Sequence, residues 1–260
     1  MSVVHPAYGV LREVTPTASV MLEENPGNMT LDGTNTWILR GPGAEDCVVV
    51  DPGYEDVPHL TRVADCGPVS LILVTHHHPD HVEGAAWLAE RTGAPIRAFD
   101  RTLCRDAEAL AHGDVVTASG LEMTVLHTPG HTDDSICLQL GDAVLTGDSI
   151  LGRGTTVISS LGHYLDTLRL LQTIPGVIAL PGHGAELPDL ASVASEYLTH
   201  REQRLDQVRL ALRQLGEDAT PRAVVEVVYA DVDESLWGPA EWSVRAQLDY
   251  LRGGTGTGGG

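Results

Sequence analysis

Residues 75–81 read Thr75-His76-His77-His78-Pro79-Asp80-His81 and follow directly on the apolar run Val69–Val74. Four imidazoles and a carboxylate, launched together from the end of a buried strand, suit a multidentate metal site. The strand end fixes direction, and a short turn can aim several side chains at one point. Three further predicted strand ends each deliver one more donor. Leu121–His127 runs into Thr128-Pro129-Gly130-His131, Ala143–Thr146 ends in Gly147-Asp148, and Val177–Leu180 ends in Pro181-Gly182-His183-Gly184. Neutral imidazole and carboxylate favour a borderline cation such as Zn²⁺. The set His76, His78, Asp80, His81, His131, Asp148 and His183 is too large for one tetrahedral ion and matches two ions sharing a bridging carboxylate. His77 lies between two donors and should point away from them by local alternation. His5, His59, His112, His127 and His200 read as surface or packed histidines.

The elements that must position these donors are legible in outline. The first thirty-odd residues read as irregular, broken by Pro6, Pro16, Pro26, Gly27 and Gly33. Strands are predicted over Thr36–Arg40 and Cys47–Val50, joined by Gly41-Pro42-Gly43, the second ending in Asp51-Pro52-Gly53. After the His-rich turn, helical spacing of Val82, Ala85, Ala86 and Ala89 predicts a helix over Val82–Arg91, stopped at Thr92-Gly93. A short strand over Ile96–Phe99 follows, then a hairpin of Ser135–Leu140 and Ala143–Thr146 about Gly141-Asp142. Gly152–Thr156 is a Gly/Thr-rich loop, and Tyr164–Ile174 is an amphipathic helix. Beyond about Leu190 the pattern changes to helices alone: Leu190–Leu215, Pro221–Tyr229 with Thr220 as N-cap, and Ala240–Leu251. The predicted organisation is therefore a domain over 1–190, a helical region over 191–252, and a Gly-rich disordered tail over 253–260.

Composition bounds the chemistry. The 260 residues are 42% hydrophobic and 20% charged, as expected of a soluble globule. Net charge is −20, and all 16 basic residues are arginine, which excludes a Schiff-base lysine. Such acidity disfavours non-specific binding to nucleic acid or an anionic membrane. Cys47, Cys66, Cys104 and Cys137 are scattered and form no CxxC, consistent with buried thiols in a reducing compartment. No leader or run of eighteen apolar residues is present, so the expectation is a cytoplasmic protein without a membrane partner.

The segment Thr75–His81 resembles the HxHxDH motif of the metallo-β-lactamase superfamily, and His131, Asp148 and His183 resemble its later ligands in order and strand-end context. The resemblance covers residues 20–190 and implies an α/β fold, an αββα sandwich with metals at one edge between the sheets. It places His76, His78 and His131 on one ion, Asp80, His81 and His183 on a second, and Asp148 between them. Asp51 matches an Asp that orients the His-rich turn through hydrogen bonds. The segment Asn25–Thr36, together with His200-Arg201 and Arg204, is similar to the β-lactamase-like protein 2 branch, whose small helical C-terminal region is winged-helix-like. That branch includes polyketide thioesterases, a single-strand endoribonuclease and bacterial hydrolases. His163 before Tyr164 departs from the polar or acidic residue expected there.

The resemblance implies a hydrolase in which two Zn²⁺ ions, or other divalent cations, activate a bridging hydroxide, with Asp80 and Asp148 orienting it. Ser149, Thr155, Thr156 and His163 fall near the expected pocket rim. The acidic, lysine-free surface points to a small-molecule acyl thioester or ester as substrate. Single-stranded RNA is the alternative, resting on the branch and on seven C-terminal arginines. A non-catalytic metal-stabilised interaction module is a third reading. The apolar periodicity of the C-terminal helices serves equally to cap the sandwich or to form a homodimer face.

Overall fold

The structure is a computed structural model that describes residues 7–253. His5, and the expected disordered tail beyond Gly253, lie outside the described residues. The first sheet runs β1 (Leu11–Thr15), β2 (Ala18–Leu22), β3 (Asn35–Leu39), β4 (Cys47–Val50), β5 (Val69–Leu73) and β6 (Ile96–Arg97), each beside the next. The second contains β7 (Val115–Ala118), β8 (Leu121–His127), β9 (Ile136–Leu140), β10 (Ala143–Gly147) and β11 (Ile178–Pro181), in the order β11-β10-β9-β8-β7.

The sheets pack face to face through the apolar inner sides of their strands. In β4, Val48 and Val50 turn inward with Trp37, Leu39 and Leu73 against Met123, Val125, Ile136, Leu138 and Leu145 of the second sheet. Its alternate residues Cys47 and Val49 turn outward to a second core with Val63 of α1 (Val57–Ala64) and Ala85, Leu88 and Ala89 of α2 (Pro79–Thr92). On the far side, α3 (Leu161–Gln172) and the first half of α4 (Leu190–Leu215) cover the second sheet through Leu161, Leu165, Leu168, Ala194 and Tyr197. The layers are therefore α, β, β, α, the sandwich that the His-rich motif implied. The second half of α4 joins α5 (Pro221–Val228) and α6 (Trp237–Leu251) about Val208, Leu212, Val224, Val225, Val244 and Leu248. One helix thus belongs to two cores.

Several sequence expectations need correction. The N-terminal segment is not irregular: Leu11–Thr15 and Ala18–Leu22 form a hairpin at the sheet edge. Its outer strand is half exposed, so it lacks the apolar run that marks a buried strand. Helix α1 and edge strand β7 are short and were also not anticipated. The helix expected from Val82 begins at Pro79, a residue pre-set for the first turn. Asp80 and His81 therefore sit on the first turn of a helix, with His78 at its N-cap. Likewise α3 starts at Leu161, not Tyr164, while the strand expected over Ile96–Phe99 is only Ile96–Arg97.

Candidate metal centre

The strand ends converge. One ligand atom from each of His76, His78, His131 and Asp148 lies within 4.8 Å of the others, and Asp80, His81 and His183 form a second group by the same measure. Asp148 faces both groups. Its Oδ2 is 3.6 Å from His131 Nε2 and 3.5 Å from His183 Nε2, while its Oδ1 is 3.5 Å from His81 Nε2. Asp80 Oδ2 is 3.1 Å from His183 Nε2 and 3.6 Å from His81 Nε2. The backbone permits this crowding at Gly182, where a Cβ would stand 2.7 Å from both Asp148 Oδ1 and the His81 ring.

The hydrogen bonds around the cluster fix the direction of each ring. Thr75 donates its hydroxyl proton to Asp51 Oδ2 at 2.7 Å, so its oxygen can accept from His76 Nδ1–H at 3.0 Å. His81 Nδ1–H donates to Asp51 Oδ2 at 2.9 Å, His131 Nδ1–H to the Val157 carbonyl at 2.7 Å, and His183 Nδ1–H to the Gly33 carbonyl at 3.1 Å. All four Nδ1 protons are spent outward, leaving four Nε2 atoms aimed inward. His78 turns its Nδ1 inward instead, 3.1 Å from His76 Nε2 and 3.0 Å from His131 Nε2.

This donor set fits divalent cations. His78 Nδ1 crowds the ring nitrogens of His76 and His131, which repel wherever two lone pairs meet, and buried Asp148 Oδ1 has no hydrogen-bond partner among the described residues. A cation resolves both defects. The electrostatics divide the cluster. Burial drives the His76 imidazole well below its ordinary range, assisted by the neighbouring rings, and drives His78 to about 4. Burial also lowers His131. Around His81 burial is outweighed by Asp51, Asp148 and Asp80, which raise it to about 10, and His183 is raised by Asp148 and Asp80 in the same way. Both carboxyls of the cluster stay ionised. Burial works against them, but His183 and His81 beside Asp80, and His183, His81 and His131 beside Asp148, hold each below the usual carboxylate range.

Asp51 orients the turn through three contacts, the two described above and the Thr75 amide at 2.8 Å, and its φ of 51° is a left-handed conformation unusual for a non-glycine. The start of β3 is tied to the His183 loop by Asn35, whose side-chain amide donates to the Pro181 carbonyl at 2.9 Å and the Gly184 carbonyl at 2.7 Å. His77 stands outside both groups and pairs with Asp134 at 2.7 Å. His59 is packed in the interior, hydrogen-bonded to Thr36 Oγ1 at 2.9 Å. His163 is exposed and lines a surface cleft with His112 and His127, apart from the donors.

Ser149 and Thr156 are buried, not at a rim. The first donates to Thr128 Oγ1 at 3.3 Å, and the Thr156 hydroxyl lies 3.0 Å from His131 Nδ1. Thr155 is exposed. Sequence reasoning did not find Thr75 and Asn35, and gave Arg201 no structural role. A signal existed for Arg201. It interrupts the stripe Leu190, Ala194, Tyr197, Leu205, Val208, whose other members are apolar or aromatic and buried.

A buried His/Asp donor cluster at the edge of an αββα sandwich defines a metal-dependent hydrolase. The chain belongs to the metallo-β-lactamase superfamily: residues 29–114 match the Metallo-beta-lactamase superfamily and residues 220–252 the Beta-lactamase associated winged helix domain. It is 35% identical over 250 residues to a Beta-lactamase-like protein 2 homolog of Drosophila melanogaster, covering 87% of this chain and 85% of that protein. It is 31% identical over 251 residues to an Atrochrysone carboxyl ACP thioesterase of Aspergillus fumigatus, covering 87% and 79%. The fold is shared with a Beta-lactamase domain protein from Burkholderia ambifaria, with a TM-score of 0.80 at 23% identity over 97% of this chain and 91% of that one. No helix among the described residues is long and apolar enough to cross a membrane.

Proposed function

We propose that the protein is a dinuclear zinc hydrolase of acyl thioesters or related small esters. His76, His78 and His131 would hold one ion, Asp80, His81 and His183 the other, and Asp148 both. The observation that carries this reading is the position of Asp148, whose Oδ2 lies between His131 of one donor group and His183 of the other. Two bound cations would supply Lewis acidity and bring the pKa of a coordinated water to about 7. The ionised Asp80 and Asp148 carboxylates can accept a proton from the attacking water and orient its oxygen toward the acyl carbon. As the new C–O bond forms and the C–S bond breaks, the accepted proton can pass to the departing thiolate.

A thioester substrate is supported by the thioesterase relative at 31% identity and by the net charge of −20. The C-terminal arginines do little for an RNA substrate, because several are engaged within the region. Arg209 pairs with Asp206 at 2.7 Å, Arg222 with Glu226 at 3.0 Å and Glu241 at 3.2 Å, and Arg201 is buried. Parallel assays of one zinc-loaded preparation against a thioester and lactone panel and against single-stranded RNA test the reading. Thioester turnover abolished by His78→Ala is expected. RNA cleavage abolished by the same substitution, with no thioester turnover, would replace thioester by phosphodiester.

A further inference from the structure

Arg201 is 3% exposed, and among the described residues no carboxylate lies within ion-pair distance of it. Its Nη2–H donates to the Thr156 carbonyl, its guanidinium lies 5.1 Å from the Tyr164 ring centroid, and its Nε is buried without a partner. A guanidinium buried with so little compensation is a poor source of stability. What it holds is close to the donor cluster. The Thr156 hydroxyl lies 3.0 Å from His131 Nδ1, and the next carbonyl, that of Val157, accepts the Nδ1 proton at 2.7 Å. Four residues earlier on the same helical face, the Tyr197 hydroxyl donates to the Gly154 carbonyl at 2.8 Å and accepts from the Leu151 amide at 3.2 Å. Helix α4 therefore grips the 151–157 segment at both ends, and that segment contributes the acceptor that sets the tautomer of His131.

We propose that Arg201 is a positioning residue for His131: by fixing the Thr156-Val157 backbone it keeps the Nδ1 proton outward and the Nε2 lone pair on the first metal. Helix α4 would thus tune one metal site and leave the other alone, since His81 and His183 take their orienting bonds from Asp51 and Gly33. This inference rests on the assignment of His131 to one of two ions.

Competitive zinc titration of the metal-free full chain, comparing wild type with Arg201→Met, Arg201→Lys and the exposed control Arg209→Met, tests it. Arg201→Met should weaken one of the two binding steps about tenfold, the lower end for residues that orient ligands, with the other step unchanged. Arg201→Lys, which keeps a donor for the carbonyl, should recover part of the loss, and Arg209→Met should change neither step. Equal affinities in wild type and Arg201→Met would overturn the proposal. So would equal weakening of both steps together with a lower unfolding midpoint, which would make Arg201 a packing residue only. If wild type binds a single ion, the dinuclear reading fails, and the His131 Nδ1–H resonance of the metal-free protein decides the inference. A shift in Arg201→Met but not in Arg209→Met supports it, and no shift overturns it.

Discussion

The two ends of the molecule treat charge in opposite ways. At the sandwich edge the polar groups are buried, and the outward Nδ1 of His76, His81, His131 and His183 is in each case matched to an acceptor. On the C-terminal helices the charges are solvated and paired with near neighbours in sequence, as in Arg209–Asp206 and Arg222–Glu226. Desolvated polar groups are costly unless satisfied, whereas exposed ion pairs contribute little. The edge is where substitution should be expensive and specific, and the helical surface is where it should be tolerated. Arg201 is the exception that ties the two together.

The comparison breaks most readily at Asp148. Asp148→Ala removes the carboxylate shared by both groups, so it should lower turnover by more than about 100-fold, beyond the loss from an outer orienting residue. Bound metal measured on the same sample should fall with it. Turnover and metal content both at wild-type level would contradict the shared position.

Asp51→Ala deletes three hydrogen bonds to the His-rich turn but no donor to the cluster. Metal affinity should fall roughly 10- to 100-fold, as for outer partners that orient ligands, and competitive chelation reads the change.

His59 offers a smaller, pH-dependent effect. The Thr36 hydroxyl donates to the Asp51 carbonyl, so His59 must donate through Nε2, and its buried Nδ1 has no partner. Burial pushes this imidazole down from 6.5 to about 4. Between those values the unfolded chain takes up a proton that the folded state refuses. The stability contributed by neutral His59 is therefore complete above about pH 6.5 and is lost as pH falls toward 4, on the order of 3 kcal/mol in all. His59→Gln should flatten that part of the denaturation profile, measured against wild type. At the tolerant end, Arg209→Ala should move the thermal midpoint by less than about 2 °C.

Much of the edge was legible because its donors stand in one short motif or directly after Gly and Pro at strand ends. The family resemblance, not the spacing, singled out Asp51, which makes three hydrogen bonds to the turn. The rest was hidden for physical reasons. Edge strand β1 is half exposed and carries Arg12 and Glu13, so nothing in its hydropathy marks it. Thr75 and Asn35 act through hydrogen bonds across the chain, and residue type alone does not reveal such bonds. Thr156 sits in a loop where Thr is ordinary, and only the fold brings its hydroxyl to His131.

The most direct test of a dinuclear hydrolase is to titrate metal-free protein with zinc while following hydrolysis of an acyl thioester. Turnover that rises to a plateau at two equivalents per chain, and disappears in Asp148→Ala, is the expected result. Full turnover without metal, or a plateau at one equivalent with the second ion inert, would contradict it.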